Sequence, residues 1–242
     1  MNANLTAVTA AKLNAALGRA SPAEIVAAAK QAVAPQRLAM ASSFGIESAT
    51  LLKIVADIDP AIPVLFLDTD WLFPETLAYQ DTLVEHFGLK DVRTIRPSAA
   101  AAAKRDPGRD LWSIDPDACC NMRKVEPIAE MLGDFDAWIN GRKRYQGGER
   151  STIPIVESEG SRLKFNPLAH TTPAEIAKMF RAWNLPLHPL AGRGFTSVGC
   201  MPCTRRTNPG EAARAGRWHD RLKTECGIHL QAPELAQGSP RQ

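Results

Sequence analysis

Two hydrophobic periods alternate along this chain. The short apolar runs "RLAMASS", "IPVLFLDT" and "DVRTIRP" read as strands, the second with enough consecutive apolar residues to be a buried one. Between them, "GIESATLLKIVADI" and "PETLAYQDTLVEHFG" repeat their apolar residues at helical spacing, and Gly88 closes the second. Strand, helix, strand, helix, strand predicts a mostly parallel, twisted α/β sheet with right-handed crossovers, flanked by helices. "FDAWING" adds a fourth strand. Ahead of the sheet, "SPAEIVAAAK" offers Ser21 as N-cap, Pro22 at the first helical position and Glu24 three residues on, so residues 1–36 should form one or two helices. "TTPAEIAKMFRAWNLP" repeats that signature with Thr172, Pro173 and Glu175. "SAAAAAK" is compositionally simple, and beyond Pro186 long periodicity disappears from a stretch rich in Gly, Pro, Arg and Thr. That stretch is expected to be an ordered loop leading into a mobile tail.

Composition changes this picture little. At 242 residues with 45% apolar and 23% charged residues, the chain is an ordinary globular protein. A net charge of +3 does not imply nucleic acid, but its distribution is uneven. Arg193, Arg205, Arg206, Arg214, Arg217, Arg221 and Lys223 face only Glu211 and Asp220 across one segment. No apolar run approaches the roughly 18 residues of a membrane span, and the N-terminus lacks the basic-then-apolar order of a secretory signal. The expectation is a cytoplasmic protein with no membrane and no nucleic-acid partner. In that reducing setting the five cysteines read as metal-binding or catalytic. They fall as Cys119 with Cys120, Cys200 with Cys203, and Cys226 alone in "KTECGIH".

Candidate chemistry follows from three places. "MASSFGIES" joins the first strand to its helix, where ligands of open α/β sheets sit, and reads either as an ordinary turn or as a phosphate site. It matches neither a Walker A loop nor the dinucleotide fingerprint. Asp68 and Thr69 end the second strand and could bind a nucleoside or cap the next helix. "DPDACCNMRKVEP" opens a helix with Asp115 as N-cap and Pro116 at N1, and Pro127 should break or restart it. Neighbouring cysteines on a helix diverge by about 100°, too wide for a compact single-ion site but workable around a larger cluster, so the two cysteine pairs read as a four-iron cluster in preference to zinc, or as two unrelated thiol pairs. The histidines at 86, 170, 188 and 219 show no ligand spacing.

"SSFGIES", "LDT" followed by "LFPET", "CCNMRKVEP", "GRKRYQ", "GCMPCT", "RAGRWHD" and "KTECGIH" together resemble the assimilatory adenylyl-sulfate (APS) reductases of the phosphoadenylyl-sulfate reductase superfamily, from about residue 37 to 230. The resemblance implies an adenine nucleotide alpha hydrolase-like fold. Residues 37–192 would be the nucleotide-binding core, 193–230 the cluster loop, Arg-rich segment and catalytic-cysteine tail, and 231–242 a flexible terminus. It implies adenosine 5′-phosphosulfate as substrate, Cys226 as nucleophile, and a [4Fe-4S] cluster on Cys119, Cys120, Cys200 and Cys203. Ser42, Ser43, Phe44, Gly45, Glu47 and Ser48, with Leu67, Asp68 and Thr69, would line the nucleotide site. Lys124, Arg144, Arg214 and Arg217 would hold its anionic groups. His229 reads either as a residue that positions the tail or carries a proton, or as a solvent-exposed histidine with no such role. The implied reductant is thioredoxin or a glutaredoxin-like protein, and a homo-oligomer is left open. The chain departs from the family at Asp70, where glycine is usual, and at Tyr145, where an acidic residue is common.

Three other readings compete. A sulfurtransferase or pyrophosphatase on this fold would carry S-G-G-x-D-S, and "SSFGIES" lacks the second glycine and the aspartate. Reduction of 3′-phosphoadenylyl sulfate is a nearer rival. A zinc-stabilised RNA-binding module would interleave aromatics with the basic residues, and only Phe195 and Trp218 do so.

Overall fold

The computed structural model describes residues 2–219, 221 and 223–229. The anticipated terminus at 231–242 lies outside them. Two helices come first, α1 (Ala3–Leu17) and α2 (Pro22–Ala32). Ser21 and Glu24 form the expected capping box on α2.

The sheet follows the predicted alternation: β1 (Leu38–Ser42), α3 (Ser48–Ile58), β2 (Val64–Leu67), α4 (Pro74–Phe87) and β3 (Val92–Ile95). Gly88 ends α4 in the left-handed conformation, φ 61°. Short helices α5 (Ala99–Arg105), α6 (Leu111–Ile114), α7 (Pro116–Cys120) and α8 (Glu126–Leu132) precede β4 (Ala137–Ile139). A hairpin of β5 (Val156–Glu159) and β6 (Arg162–Phe165) then leads to α9 (Pro173–Ala182), which begins with the Thr172–Glu175 capping box. The six strands lie in the order β3-β2-β1-β4-β6-β5, parallel except for β5.

Alternation along β1 divides the core. Leu38 and Met40 join Leu52, Val64, Phe66 and Phe165 on one face, while Ala39 joins Leu65, Ile128, Leu132 and Trp138 on the other. Asn14 of α1 bonds both backbone groups of Val156 on the edge strand β5, at 2.7 and 3.0 Å, which satisfies a sheet edge.

Pro127 does not break its helix. The backbone continues from α7 to α8 through a π-helical turn, Asn121–Val125, in which the Glu126 N–H bonds the Asn121 carbonyl. Pro127 has no N–H for the Arg123 carbonyl and its ring would crowd that group in an α-helix; the wider turn accommodates both problems. Beyond α9 the described chain forms only 3₁₀ turns and isolated bridges, consistent with the expected loop.

Candidate active site

The carboxyl ends of β1, β2 and β4 open into a cavity of about 230 Å³. Its floor is the β1–α3 loop. Ser42 ends β1 and its hydroxyl accepts the Phe44 N–H at 3.2 Å, while Phe44 itself is left-handed, φ 44°. That backbone turns the phenyl ring into the core, edge-on to Phe66, so Phe44 does not line the cavity. Ser43, Gly45, Glu47 and Ser48 do. The N-cap residue of α3 is Glu47, which makes no side-chain capping bond; the Ser48 and Thr50 N–H groups bond the Gly45 and Glu47 carbonyls at 3.0 and 3.4 Å, and the positive end of the helix dipole faces the cavity with no side chain across it. An anion fits there by charge and by hydrogen bonding.

Glu47 is occupied elsewhere. Its carboxylate receives Lys143 Nζ at 2.9 Å, the Tyr145 hydroxyl, and Gln146 Nε2 at 3.4 Å. Tyr145, where the resemblance led to the expectation of an acidic residue, is thus a donor to Glu47. Arg144 turns away, bonding the Ile153 carbonyl at 2.8 Å, and does not line the cavity. Arg142, Lys143 and Arg150 line it instead. Nothing in the sequence pattern separated these basic residues from Arg144; the irregular backbone after β4 decides which of them turn inward.

Leu67 and Thr69 line the cavity, whereas Asp68 stands behind it, accepting from Arg96 Nε at 3.0 Å and from the Asp70 N–H at 3.1 Å. Neither Asp68 nor Thr69 caps α4, whose N-cap is Phe73. The Thr69 hydroxyl lies 3.2 Å from Cys200 Sγ.

The four paired cysteines meet across one small cavity, shared with Trp71, Trp112, Pro116, Pro202, Arg123 and Lys124. Cys119 and Cys120 come from α7, capped by Asp115 through the N–H groups of Asp117 and Ala118 at 3.1 and 2.9 Å. Cys200 caps a 3₁₀ turn whose last residue is Cys203, and a bridge between Leu72 and Cys200 ties that turn to the segment between β2 and α4. Burial pushes the Cys119 and Cys120 thiols up to about 11 and 12. Burial raises Cys200 too, but Lys124, the Thr69 hydroxyl and Arg217 outweigh it and bring that thiol below its usual value. Four thiols facing one apolar space, with buried Arg123 and Lys124 to offset anionic charge, fit an iron–sulfur cluster. Among the described residues, no three His, Cys, Asp or Glu side chains converge on a single ion.

Lys124 and Cys200 line both cavities. Burial alone would lower the Lys124 ammonium, yet the sulfurs of Cys200, Cys226 and Cys120 carry it above its usual range. Arg217 lies 4.6 Å over the Trp218 ring and bonds the Val198 carbonyl at 3.0 Å. Arg214 bonds the Thr224 carbonyl at 2.9 Å, and burial lowers its guanidinium to about 10.

Cys226 lines the larger cavity together with Lys124, Arg214 and Arg217. Gly227 beside it has φ 89°, and a Cβ there would meet Val125 Cγ2 at 3.1 Å, so the chain turns and passes close at a point only glycine suits. Downstream, Ile228 packs on the Ile128–Leu132 face of the core. His229 stacks on Trp138, centroids 5.6 Å apart, and its carbonyl accepts Lys164 Nζ at 3.3 Å. Burial pulls His229 well below the usual histidine range, so its ring is neutral.

A mostly parallel sheet with a pocket beyond its carboxyl ends, and cations and the Cys226 thiol in its lining, is the arrangement in which open α/β enzymes bind anionic ligands. Residues 37–206 match the phosphoadenosine phosphosulfate reductase domain, and the chain belongs to that family. It is 46% identical to the adenosine 5′-phosphosulfate reductase of Mesorhizobium japonicum, covering 95% of this chain and 91% of that protein. It is 47% identical to the enzyme of the same name from a Chelativorans strain, over 80% of this chain and 79% of the relative. In fold it is similar to the phosphoadenylyl-sulfate reductase of Candida auris, with a TM-score of 0.69, 23% identity, and coverage of 81% of this chain and 96% of that one. No helix among the described residues is long and apolar enough to cross a membrane.

Proposed function

We propose that this protein reduces adenosine 5′-phosphosulfate to sulfite and AMP in sulfate assimilation. One observation carries the reading: Cys226 shares a single cavity with the α3 N-terminus and with Lys124, Arg214 and Arg217. The names of the two bacterial relatives support the choice of nucleotide.

The phosphosulfate binds with its charge against the α3 N-terminus and these cations, and Leu65, Leu67 and Ile128 give the base an apolar wall. Sulfur in this group is surrounded by anionic oxygens, so an approaching thiolate is repelled unless cations offset both charges. Cys226 Sγ attacks the sulfur, the bond from sulfur to the bridging phosphate oxygen breaks, and AMP leaves with that electron pair. The product is an S-sulfocysteine on Cys226. A thiolate of an external dithiol protein, thioredoxin or a glutaredoxin-like partner, then attacks Cys226 Sγ and expels sulfite. Its second thiol resolves the mixed disulfide, returning Cys226 reduced and the partner as a disulfide. These steps suit a cytoplasmic enzyme, where such dithiols are maintained.

Cys119, Cys120, Cys200 and Cys203 would hold a [4Fe-4S] cluster, which when bound supplies a fixed charge distribution beside Lys124. Lys124 would orient the sulfate end from the cavity wall it shares with Cys226.

The test is anaerobic incubation of cluster-loaded protein with adenosine 5′-phosphosulfate and no reductant, then intact mass and tryptic mapping. A sulfo adduct on Cys226, absent in Cys226→Ser, is the expected result. An adduct formed only from the 3′-phosphorylated nucleotide would reassign the substrate, and no adduct from either would overturn the reductase reading.

A further inference from the structure

Glu225 immediately precedes the nucleophile and is buried, 7% exposed. Its carboxylate is paired with Arg150 through Nε and through Nη2, the latter at 2.8 Å, and Arg214 Nη2 lies 3.5 Å away. Both arginines line the nucleotide cavity, and so does Glu225. A buried carboxylate in a pocket for an anionic ligand works against binding and persists only if its pairing accomplishes something else. Here the pairing fixes the residue next to Cys226 at a wall of the cavity.

We propose that Glu225 is a positioning residue for Cys226: held between Arg150 and Arg214, it seats the thiol in the cavity while drawing on cations that a bound nucleotide would otherwise have to itself. This rests on the reductase reading above. Two effects of opposite sign follow. Neutralising Glu225 releases the arginines to the nucleotide, so binding tightens. It also loosens the seat of Cys226, so sulfo transfer slows. General damage to the site would weaken both.

The experiment compares wild type with Glu225→Gln and Glu225→Asp, measuring AMP affinity by calorimetry, single-turnover formation of the Cys226 adduct by quenched-flow mass spectrometry, and amide exchange across residues 223–229. Glu225→Gln is expected to bind AMP severalfold more tightly, to transfer the sulfo group about tenfold more slowly at saturating nucleotide, and to exchange faster in the tail. Glu225→Asp should recover much of the rate. Affinity and rate falling together in Glu225→Gln, or neither changing while wild type forms the adduct, would overturn the positioning role alone. A wild type that forms no adduct would overturn the underlying reading and this one with it.

Discussion

The carboxylate of Asp70 accepts a hydrogen bond from the Arg123 guanidinium at 3.0 Å. Arg123 is buried and also bonds Asp106 at 2.8 Å and the Thr69 carbonyl at 3.0 Å, so it joins the end of β2 to the helix that carries Cys119 and Cys120. Asp70 reaches it from a left-handed backbone, φ 62°, the conformation that favours glycine. Strain and ion pair therefore oppose one another. Asp70→Gly should stay within about 1 kcal/mol of wild type, because it relieves the backbone while losing a half-exposed pair. Asp70→Ala keeps the strain and loses the pair, and should cost about 1–2 kcal/mol. Urea unfolding of both variants checks this; equal losses would show that the backbone carries no strain.

The cysteines should divide four against one. Replacing Cys119, Cys120, Cys200 or Cys203 with serine should abolish bound iron and acid-labile sulfide, because all four residues line the shared cavity. Cys226→Ser should retain both while losing the sulfo adduct. Metal and sulfide analysis of anaerobically purified variants decides it. Zinc in place of iron in such a preparation would count against the cluster.

Gly199 backs onto Arg217, and a Cβ there would lie 2.2 Å from Nη2. Arg217 is also confined by the Trp218 ring, so Gly199→Ala should displace the guanidinium without disturbing the core. Steady-state kinetics should show at least about a tenfold loss in kcat/KM with an unchanged melting temperature. Full activity would remove Arg217 from the site.

His188 is buried between α4 and the loop after α9. Its Nδ1 accepts the Leu190 N–H at 3.1 Å, leaving Nε2–H to donate to Thr76 at 3.1 Å. Burial pulls its pKa down to about 4. The unfolded chain takes up this proton near pH 6.5, before the folded chain does, so the contribution is complete above that pH and is lost as pH falls toward 4. The loss amounts to roughly 3 kcal/mol. Denaturation between pH 7 and 4 should therefore be less pH-dependent in His188→Gln, which is also less stable at neutral pH. An unchanged slope would place the acid sensitivity elsewhere.

Legibility in the sequence followed local chemistry. The capping boxes at Ser21 and Thr172, the Gly88 terminator and the first four strands were readable because each is set by neighbours a few residues apart. The β5–β6 hairpin went unread, although "VESE" and "RLKF" alternate around Gly160, whose φ is 61°. That the two cysteine pairs 80 residues apart share one cavity was legible through the family resemblance, since spacing by itself left two unrelated pairs open, whereas the basic wall was not legible at all. Arg142, Lys143 and Arg144 are consecutive, and only the path of the backbone after β4 turns the first two inward. Phe44 carried a usable signal: a large apolar ring in a serine–glycine loop belongs beneath it. Glu225 carried none, since its partner Arg150 stands 75 residues earlier.

The π turn ahead of Pro127 has a consequence for how two thiols are aimed. One residue more or less in that turn rotates everything before it by about 100° relative to everything after it. Cys119 and Cys120 lie before it, and Ile128 and Leu132, anchored in the core, lie after it. Pro127 is buried and is no part of the cysteine cavity, yet it denies the helix its ordinary register. The direction in which a pair of sulfurs points is thus stored as a phase setting, seven and eight residues downstream, in a ring that never meets them.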